Sequence, residues 1–285
     1  MSVYNINGNN LENILNVNGE GLQTGYDISG NIVYTASTPY DNYTVTKAWN
    51  YYRYAQGIDV HNDVVAIWDD HAQTITLKAI SDGTLISTLN LGITDHGNDI
   101  SFTQEYYDPT DEFPLLCIST SRFYRITRSS ATQVKTFRIP TIKTYTLGYG
   151  IAFNEGIMYV SGYLDNDYTE SSHKDICVAM LDLNDLTDNG DDTYTPALIS
   201  YVERPWLPCI QGASFHDGLF WWACGLTGSG DLVAIDPQTG EAVHTLNLGN
   251  TGELEGLGWG YNSTDGWFAF IGAVSIGYVK VTFTT

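Results

Sequence analysis

Residues 211–225 read QGASFHDGLFWWACG, and this stretch decides the fold of the chain. An alternating segment, a His-Asp-Gly turn and a second apolar segment follow one another directly. This order is typical of a tight β-hairpin, because glycine adopts positive φ without strain. The leading strand recurs, and its copies are Gln56–Val60, Asn98–Phe102, Tyr149–Phe153, Gln211–Phe215 and Glu255–Trp259. The chain is therefore built from repeats.

Each copy continues into two further strands. The sequence TLNLG occurs at 88–92 and again at 245–249, each time after a polar turn and a short apolar strand. Four antiparallel strands that recur about every 40 to 60 residues are typical of a β-propeller. The sequence thus predicts an all-β protein, a five-bladed β-propeller.

The last copy reaches Thr285 with three predicted strands, so its fourth strand has to come from elsewhere. Tyr43–Trp49 alternates in the same phase as TLNLG. We therefore expect an N-terminal strand to close the ring and to remove a free sheet edge. On this interpretation the propeller covers residues 41–285.

Residues 1–40 are expected to form a separate β-rich arm. YNINGN, LNVNGE and YDISGN begin at Tyr4, Leu15 and Tyr26, and each is a strand stub that ends in a turn signal. Asn-Gly and Ser-Gly between alternating residues predict hairpins. The arm either pairs with another chain or lies on the propeller as an appendage.

Composition excludes some partners. The chain has 33 acidic and 12 basic residues, a formal net charge of -21. Such a field repels nucleic-acid phosphates and anionic lipid, so we expect no nucleic-acid or membrane partner. No stretch approaches the ~20 apolar residues of a membrane-spanning helix. The N-terminal residues lack the features of a signal peptide, which predicts cytoplasmic synthesis unless a leader has been removed.

One face of the propeller is the predicted ligand site. The loops that enter each first strand, and those that join the second strand to the third, crowd around the central channel on this rim. They carry aromatic rings, carboxylates and amides, which together suit a polyhydroxylated ligand. The candidate ligand-binding residues are Tyr51, Tyr52, Arg53, Gln56, Trp68, Asp69, Asp70, His96, Asn98, Asp99, Arg122, Tyr149, Trp206, Gln211, Trp222, Glu253 and Glu255. The alternative role of the aromatic residues is packing between blades, and that of the repeated glycines is close strand packing.

The histidines and acidic turns are the candidates for other chemistry. His61 and His216 occupy the same repeat offset, so they lie on different blades at the face opposite the rim. His96 either acts as a ligand or acid/base group or orients its loop. Asp165–Glu170 and Asp182–Asp192 lack the EF-hand pattern, and each is either a surface Ca²⁺ site or a solvated turn. No other cofactor is predicted, and the four cysteines are expected to be free thiols.

The usual catalytic motifs are absent from the sequence, including those of serine hydrolases, zinc proteases and nucleotide-binding enzymes. Asp99 and Glu255 come from different blades and could form an acid/base pair across the channel. The sequence thus favours binding without catalysis. A polysaccharide hydrolase or lyase, and a structural docking propeller, are the alternatives.

Three segments carry a family resemblance: DHGNDISFTQEYYDPTDEFPLLCIST at 95–120, QGASFHDGLFWWACG at 211–225 and ELEGLGW at 253–259. Through GN-x-x-SF, E-x-Y-x-x-x-DEFPLL, QG and EGL, residues 40 to 285 resemble the TagC-like five-bladed propeller of phage and prophage receptor-binding proteins. The N-terminal repeats are similar to leader segments of tail-associated proteins. The resemblance implies a tail component, in the virion or outside the cell, that contacts a bacterial surface glycan. It also implies a frequent homo-oligomer, and contacts of residues 1–40 with other tail proteins.

The charge departs from this family pattern. The relatives are associated with teichoic acids, which are polyanions, whereas this chain carries -21. A polyanion would need a basic patch, and Arg122, Arg125 and Arg128 are the clustered candidates besides Arg53. A neutral glycan or a bridging divalent cation fits the charge better.

Overall fold

The computed structural model describes strands at 24–26, 32–35 and 43–47, and then the ranges 55–93, 99–143, 145–164, 174–206, 210–225, 230–248, 254–259, 267–271 and 277–283. Within these residues the protein is all-β and contains no helix. None of the described segments is therefore a helix that could cross a membrane.

The chain divides into two compact units, one of residues 45–282 and a smaller one of residues 1–44 with 283–285. The smaller unit contains β1 (Thr24–Tyr26) and β2 (Ile32–Thr35), which pair antiparallel. The repeats that begin at Tyr4 and Leu15 lie outside the described residues. The predicted division into residues 1–40 and 41–285 stays a prediction.

The strands that follow are short and alternate with turns. In chain order they are β3 (Tyr43–Lys47), β4 (Gly57–His61), β5 (Val64–Asp69), β6 (Thr74–Ala79), β7 (Leu85–Asn90), β8 (Ile100–Phe102), β9 (Leu116–Ile118), β10 (Arg122–Ile126), β11 (Ala131–Phe137), β12 (Tyr145–Asn154), β13 (Ile157–Leu164), β14 (Lys174–Asp188), β15 (Thr193–Trp206), β16 (Ile210–His216), β17 (Leu219–Cys224), β18 (Asp231–Ile235), β19 (Ala242–Asn247), β20 (Leu254–Trp259), β21 (Trp267–Ile271) and β22 (Gly277–Phe283).

Most described strands pair with their neighbours in sequence. Four-stranded sheets have the orders β4-β5-β6-β7, β16-β17-β18-β19 and β20-β21-β22-β3. The remaining strands form an eight-stranded sheet, β12-β13-β14-β15-β11-β10-β9-β8. Its two halves meet where β11 and β15 pair in parallel, through Thr136 with Thr193 and Phe137 with Tyr194. β3, which belongs to the predicted segment Tyr43–Trp49, is the neighbour of β22.

Tight turns join first and second strands as predicted. Between β16 and β17, Asp217 and Gly218 have φ of 50° and 76°, and between β12 and β13, Glu155 and Gly156 have φ of 50° and 77°. Positive φ at both central residues is the geometry of a type I′ turn, which matches the twist of the flanking strands. The predicted HDG and NEG hairpins are therefore confirmed.

The first strands pack against one another around an axis, with contacts in the cyclic order β4, β8, β12, β16, β20 and back to β4. Close approach requires glycine at this level. A Cβ on Gly212 would lie 2.6 Å from Gly256 Cα, and one on Gly256 would lie 2.6 Å from Ile58 N. Real Cβ contacts are longer than this. The interpretation of these glycines as packing residues is confirmed.

Neighbouring sheets bury the strands on both faces. Every residue of β4 and of β5 is buried, so the usual alternation of buried and exposed residues is lost there. Cys117 and Cys177 are free and buried in these layers, as expected, Cys224 is buried as well, and Cys209 lies outside the described residues. The core thus lies between the sheets, and the axis is left to the first strands.

Candidate functional site

The predicted rim is described only in part. Tyr51, Tyr52, Arg53, His96, Asn98 and Glu253, and the side chain of Trp206, lie outside the described residues. The described candidates are Gln56, Trp68, Asp69, Asp70, Asp99, Arg122, Tyr149, Gln211, Trp222 and Glu255. These fall into core residues, turn residues and residues at the axis.

The two tryptophans predicted to stack on a sugar are core residues. Trp68 is 0% exposed and packs in a cluster with Ile75 and Tyr124. Trp222 is 1% exposed, and its ring centroid lies 5.9 Å from that of Phe220. A ring without an exposed face cannot stack on a ligand from solvent. Their assignment as sugar platforms is therefore corrected, and the alternative of packing between sheets holds.

The remaining rim candidates lie in or beside turns. Asp69 is buried, and its Oδ1 accepts a hydrogen bond from the Ala72 amide at 2.8 Å, which fixes the turn after β5. Asp70 is also buried. Tyr149 is half-buried and meets the Tyr163 ring edge-on, with centroids 4.8 Å apart. Gln56 and Arg122 are half-buried and Gln211 is buried.

Asp99 is a buried clasp at the axis. Its Oδ1 accepts a hydrogen bond from the Ile100 amide at 2.9 Å. Its Oδ2 accepts hydrogen bonds from the amides of Ile151, at 3.0 Å, and Ala213, at 2.9 Å. The carboxyl thereby joins the segment of β8 to β12 and β16. Because burial removes it from water, its pKa lies well above the usual range.

The acid/base pair predicted across the channel is not accessible. Asp99 is fully buried and Glu255 is 4% exposed. Neither side chain lines the cavity described below. A substrate could not reach these two carboxyl groups from solvent, so the hypothesis of an Asp99–Glu255 pair is wrong for this structure.

Two arginines of the predicted basic cluster form ion pairs with acidic neighbours. Arg125 pairs with Asp111 at 2.6 Å, and Arg128 pairs with Glu112 at 2.6 Å. An arginine that already pairs with a carboxylate offers little net charge to a polyanion. Arg125 and Arg128 therefore form surface ion pairs, so these two members of the cluster offer little to teichoic acid.

A cavity of about 200 Å³ opens at the other end of the axis. It lies where the first strands end, on the face opposite the predicted rim, and the connection from β8 to β9 forms part of its wall. Its lining combines rings with hydrogen-bonding side chains: Asp59, Val60, His61, Ser101, Phe102, Thr103, Gln104, Tyr106, Pro114, Phe153, Asn154, Ser214, Phe215 and Trp259. This is the candidate functional site, and we call it the axial cavity.

Aromatic rings occupy one repeat position around the axial cavity. This position is the last residue of the leading strand in each repeat copy. It is Val60 in the first copy and Phe102, Phe153, Phe215 and Trp259 in the other four. Neighbours hold the rings in place. The Phe215 ring stacks on Tyr159 with centroids 4.5 Å apart, and the Trp259 ring stacks on His216 at 3.7 Å. The cavity wall is thus built of supported rings.

Asp59 is the acidic member of the lining. Its Oδ1 accepts a hydrogen bond from the Val60 amide at 2.7 Å. Its Oδ2 accepts hydrogen bonds from the Phe102 amide at 2.6 Å and from Ser101 Oγ at 3.2 Å. Desolvation by burial outweighs these bonds and raises the pKa of Asp59 to about 7. This carboxyl therefore titrates near neutral pH.

The two histidines of the repeat flank the axial cavity. His61 lines it, and His61 Nε2 lies 3.4 Å from the Tyr106 hydroxyl. His216 supports the Trp259 ring from behind, and its Nε2 lies 3.2 Å from Asp217 Oδ2. Burial lowers the pKa of both imidazoles, so both are neutral at pH 7. As predicted, they lie on different sheets.

Metal ligands do not cluster in the described part of the chain, where no three His, Cys, Asp or Glu side chains come together. In the acidic turn 182–192, Asp182 Oδ1 accepts a hydrogen bond from the Asn184 amide at 2.8 Å, and Asp191 pairs with Arg138. These oxygens stabilise the turn itself. The other Ca²⁺ candidate, 165–170, lies outside the described residues.

Sequence reasoning missed most of the axial cavity, although one signal was visible. An aromatic residue stands at the same offset in four of the five repeat copies. The loop sequences favour the opposite rim as the ligand site, so this regularity did not enter the prediction, and His61 and His216 were expected on separate blades. Ser101, Gln104, Tyr106 and Asn154 gave no comparable signal, since their contribution depends on how the connection after β8 folds.

No known family matches the chain, and no curated protein matches it by sequence. Several solved structures are similar in fold. Myxococcus xanthus glutaminyl cyclase is 13% identical, with a TM-score of 0.49 over 85% of this chain and 97% of that chain. Aldose sugar dehydrogenase from Streptomyces coelicolor is 11% identical, with a TM-score of 0.46 over 86% and 100%. The Cps50 (Swd1) beta-propeller domain of Myceliophteria thermophila is 10% identical, with a TM-score of 0.44 over 85% and 100%. These likenesses concern an all-β, propeller-like fold.

Proposed function

We propose that this protein is a five-bladed propeller, closed by β3, that binds a bacterial surface glycan without turning it over. The cyclic contacts among the first strands support five blades. On this interpretation the eight-stranded sheet is two blades, β8 to β11 and β12 to β15, whose outer strands touch through the pairs at Thr136 and Phe137. The position of β3 beside β22 supports closure by an N-terminal strand.

The observation that carries the binding proposal is the lining of the axial cavity. Rings from four repeats surround side chains that donate and accept hydrogen bonds, among them Ser101, Gln104 and Asn154. Flat rings pack on the apolar faces of sugars, and amides and hydroxyls pair with sugar hydroxyls. Concave sites with a few convergent polar groups are the usual form of small-ligand pockets. The proposed site therefore lies opposite the rim that the loop sequences favoured.

The proposal of binding without turnover rests on the number of carboxyl groups in the cavity wall. Glycoside hydrolysis uses two carboxyl groups on either side of the scissile bond. Among the described lining residues, Asp59 is the carboxyl group present, and Asp99 and Glu255 are enclosed by the first strands. A second acid for hydrolysis is thus missing from the described wall.

The assignment to a phage or prophage tail rests on the sequence resemblance. In this structure the DEFPLL segment is a packing element: Phe113, Leu115 and Leu116 are buried, and Asp111 pairs with Arg125. The motif therefore supports a shared architecture. We extend the proposal to a tail component in the virion or outside the cell, with residues 1–40 as the contact to other tail proteins and a homo-oligomeric assembly.

The test is retention on a panel of purified bacterial cell-wall polysaccharides, with reducing ends measured in parallel. We expect retention without new reducing ends. Trp259→Ala should weaken retention about tenfold because stacking is lost. Tyr201→Ala removes an exposed ring on β15 and is the matched control, which should bind as the wild type does.

Three results would contradict this proposal. New reducing ends would favour a hydrolase or lyase. Absence of both retention and turnover would favour a structural docking propeller. Equal retention by Trp259→Ala and the wild type, with both folded by circular dichroism, would remove the axial cavity as the site.

A further inference from the structure

Charge distribution distinguishes the ligands that the axial cavity can accept. Asp59 lines it, and no lysine or arginine appears among the described lining residues. Described cations outside the lining pair with acids on the surface, as Lys135 does with Glu105 at 2.9 Å. The whole chain carries -21. Anionic groups are therefore repelled, whereas a cation is attracted.

Asp59 lacks a positive partner among its described contacts. Its donors are the Val60 and Phe102 amides and the Ser101 hydroxyl, all of which are neutral. A buried carboxylate without a counter-ion is costly to ionise, which is why its pKa rises to about 7. A cation placed in the cavity would supply the missing counter-ion.

The rings add a second attraction for the same kind of group. The faces of Phe153, Phe215 and Trp259 carry the negative part of the aromatic quadrupole, and a cation within about 6 Å of a ring centroid is attracted to it. A carboxylate beside several rings is thus a suitable environment for an ammonium group. The cavity volume of about 200 Å³ suits one small substituent rather than a polymer.

We infer that the axial cavity binds an ammonium group carried by the glycan, with the Asp59 carboxylate as its counter-ion and the surrounding rings as its wall. This inference rests on the proposed glycan binding and names the chemistry of the ligand. It also reconciles a wall-binding protein with a charge of -21, because positively charged substituents, rather than the phosphates, are recognised.

Binding of a cation is linked to the protonation of Asp59. The cation favours the carboxylate, so binding at pH 7 releases protons and affinity falls as pH drops below 7. The other titratable groups on the elements around Asp59 are His61 on β4, Asp99 and Tyr106 beside β8, His216 at the end of β16 and Glu255 on β20. Protonation of His61 or His216 at low pH adds positive charge and acts in the same direction.

Calorimetric titration of the full chain with matched probes tests this inference. Choline is compared with its neutral isostere 3,3-dimethylbutan-1-ol, and ethanolamine is compared with ethylene glycol. At pH 8 we expect at least one cation to bind about tenfold more tightly than its neutral partner. Between pH 8 and pH 6 the affinity for that cation should fall about tenfold, because the ionised fraction of a group with a pKa near 7 falls by that factor, while the neutral probe is unaffected. The two pairs distinguish quaternary from primary ammonium groups.

Asp59→Asn should lower the cation affinity about tenfold and abolish its pH dependence, and Asp82→Asn, at an exposed turn, is the matched control. If Asp59→Asn does not fold, the pH series on the wild type remains decisive. Equal affinity for charged and neutral probes, with polysaccharide retained, overturns the inference and leaves the proposed function intact. Charge-selective binding without retention of any polysaccharide supports the cavity chemistry and overturns the proposed function.

Discussion

Asp99 and Asp59 are buried carboxyl groups at two levels along the axis. Each accepts three hydrogen bonds, but their surroundings differ. Asp99 is fully enclosed and joins strands of three repeats through backbone amides. Asp59 lies nearer the turns, is 6% exposed and is one of the residues that line the axial cavity. At the first level glycines such as Gly212 let the backbones meet. At the second level Gly258 lies equally close to Asp59, with a Cβ that would be 2.7 Å from Asp59 Cα, and the rings that follow line the axial cavity. Both carboxyl groups thus join strands, and only the second belongs to a residue that lines a cavity.

Removing the enclosed carboxyl should have the largest effect. Asp99→Ala leaves three buried amides without their acceptor, at Ile100, Ile151 and Ala213, and each such loss costs about 1–3 kcal/mol. We expect the free energy of unfolding in urea to fall by about 5 kcal/mol. Asp99→Asn keeps one acceptor oxygen and should lose about half as much. Wild-type stability in Asp99→Ala would show that the clasp is not structural.

The pH dependence of the free energy of unfolding reports on Asp59. The pKa of Asp59 is raised from 3.8 to about 7 in the folded chain, so the unfolded chain binds fewer protons between these values. Stability is therefore highest below pH 4 with respect to this group and is lost as the pH rises through 7, by up to about 4 kcal/mol. Asp99, whose pKa is also raised, acts in the same direction.

Urea unfolding at pH 5 and pH 8 measures this dependence. Asp59→Asn should flatten the part of the slope between these pH values that belongs to Asp59. Asp82→Asn, at an exposed turn, should leave the slope as in the wild type. His61 and His216, whose pKa values are lowered, act in the opposite direction over this range, so the contribution of Asp59 is the difference between the two slopes. Equal slopes in the wild type and in Asp59→Asn would contradict the buried, counter-ion-free Asp59 described above.

The close packing of Gly212, at the level of Asp99, should have an intermediate effect on stability. In Gly212→Ala the new Cβ would lie 2.6 Å from Gly256 Cα, and overpacking of this kind costs about 1–3 kcal/mol. The matched control is Gly218→Ala, where φ is 76° and nothing lies within 4 Å of the new Cβ. That control measures the backbone strain, roughly 1 kcal/mol. Equal midpoints of thermal unfolding for the two variants would mean that the first strands can move apart.

The smallest expected effect is on the pKa of Asp59. Ser101→Ala removes a hydroxyl that donates to Asp59 Oδ2 at 3.2 Å, so the carboxylate loses one donor and its pKa should rise by about half a unit. Carbon-detected NMR of the aspartate carboxyls reports the titration midpoint. Ser161→Ala removes a hydroxyl that donates to the Gly150 carbonyl instead, and it should leave that midpoint in place.

The sequence predicted the repeats because their signals are local. Hairpin turns such as Asp217-Gly218 and strand lengths depend on neighbouring residues, and both were recovered from the sequence. The binding face was not, because burial depends on how sheets stack. Trp68 and Trp259 each lie in a strand segment beside apolar residues, yet the first is enclosed and the second borders a cavity. In strands covered on both faces, such as β5, alternation carries no information about exposure.

The raised pKa of Asp59 was likewise beyond the sequence. It arises from burial against β8, where the Phe102 amide and the Ser101 hydroxyl come from a residue range more than forty positions away. A lone aspartate in an apolar strand signals an unusual environment. Which partners surround it becomes visible only when the strands are assembled.

The short parallel pairing of β11 with β15, which we call the seam, affects the order in which the protein unfolds. Outer strands of sheets are where fraying begins, since one edge lacks a neighbour. At the seam, the Arg138 amide donates to the Tyr194 carbonyl at 2.8 Å, and Arg138 also pairs with Asp191. Each outer strand therefore shields the end of the other from solvent exchange. Amide protons near Phe137 and Tyr194 should exchange together and later than those at the outer edges of β7 and β19, so that the two halves of the eight-stranded sheet open as a single cooperative block.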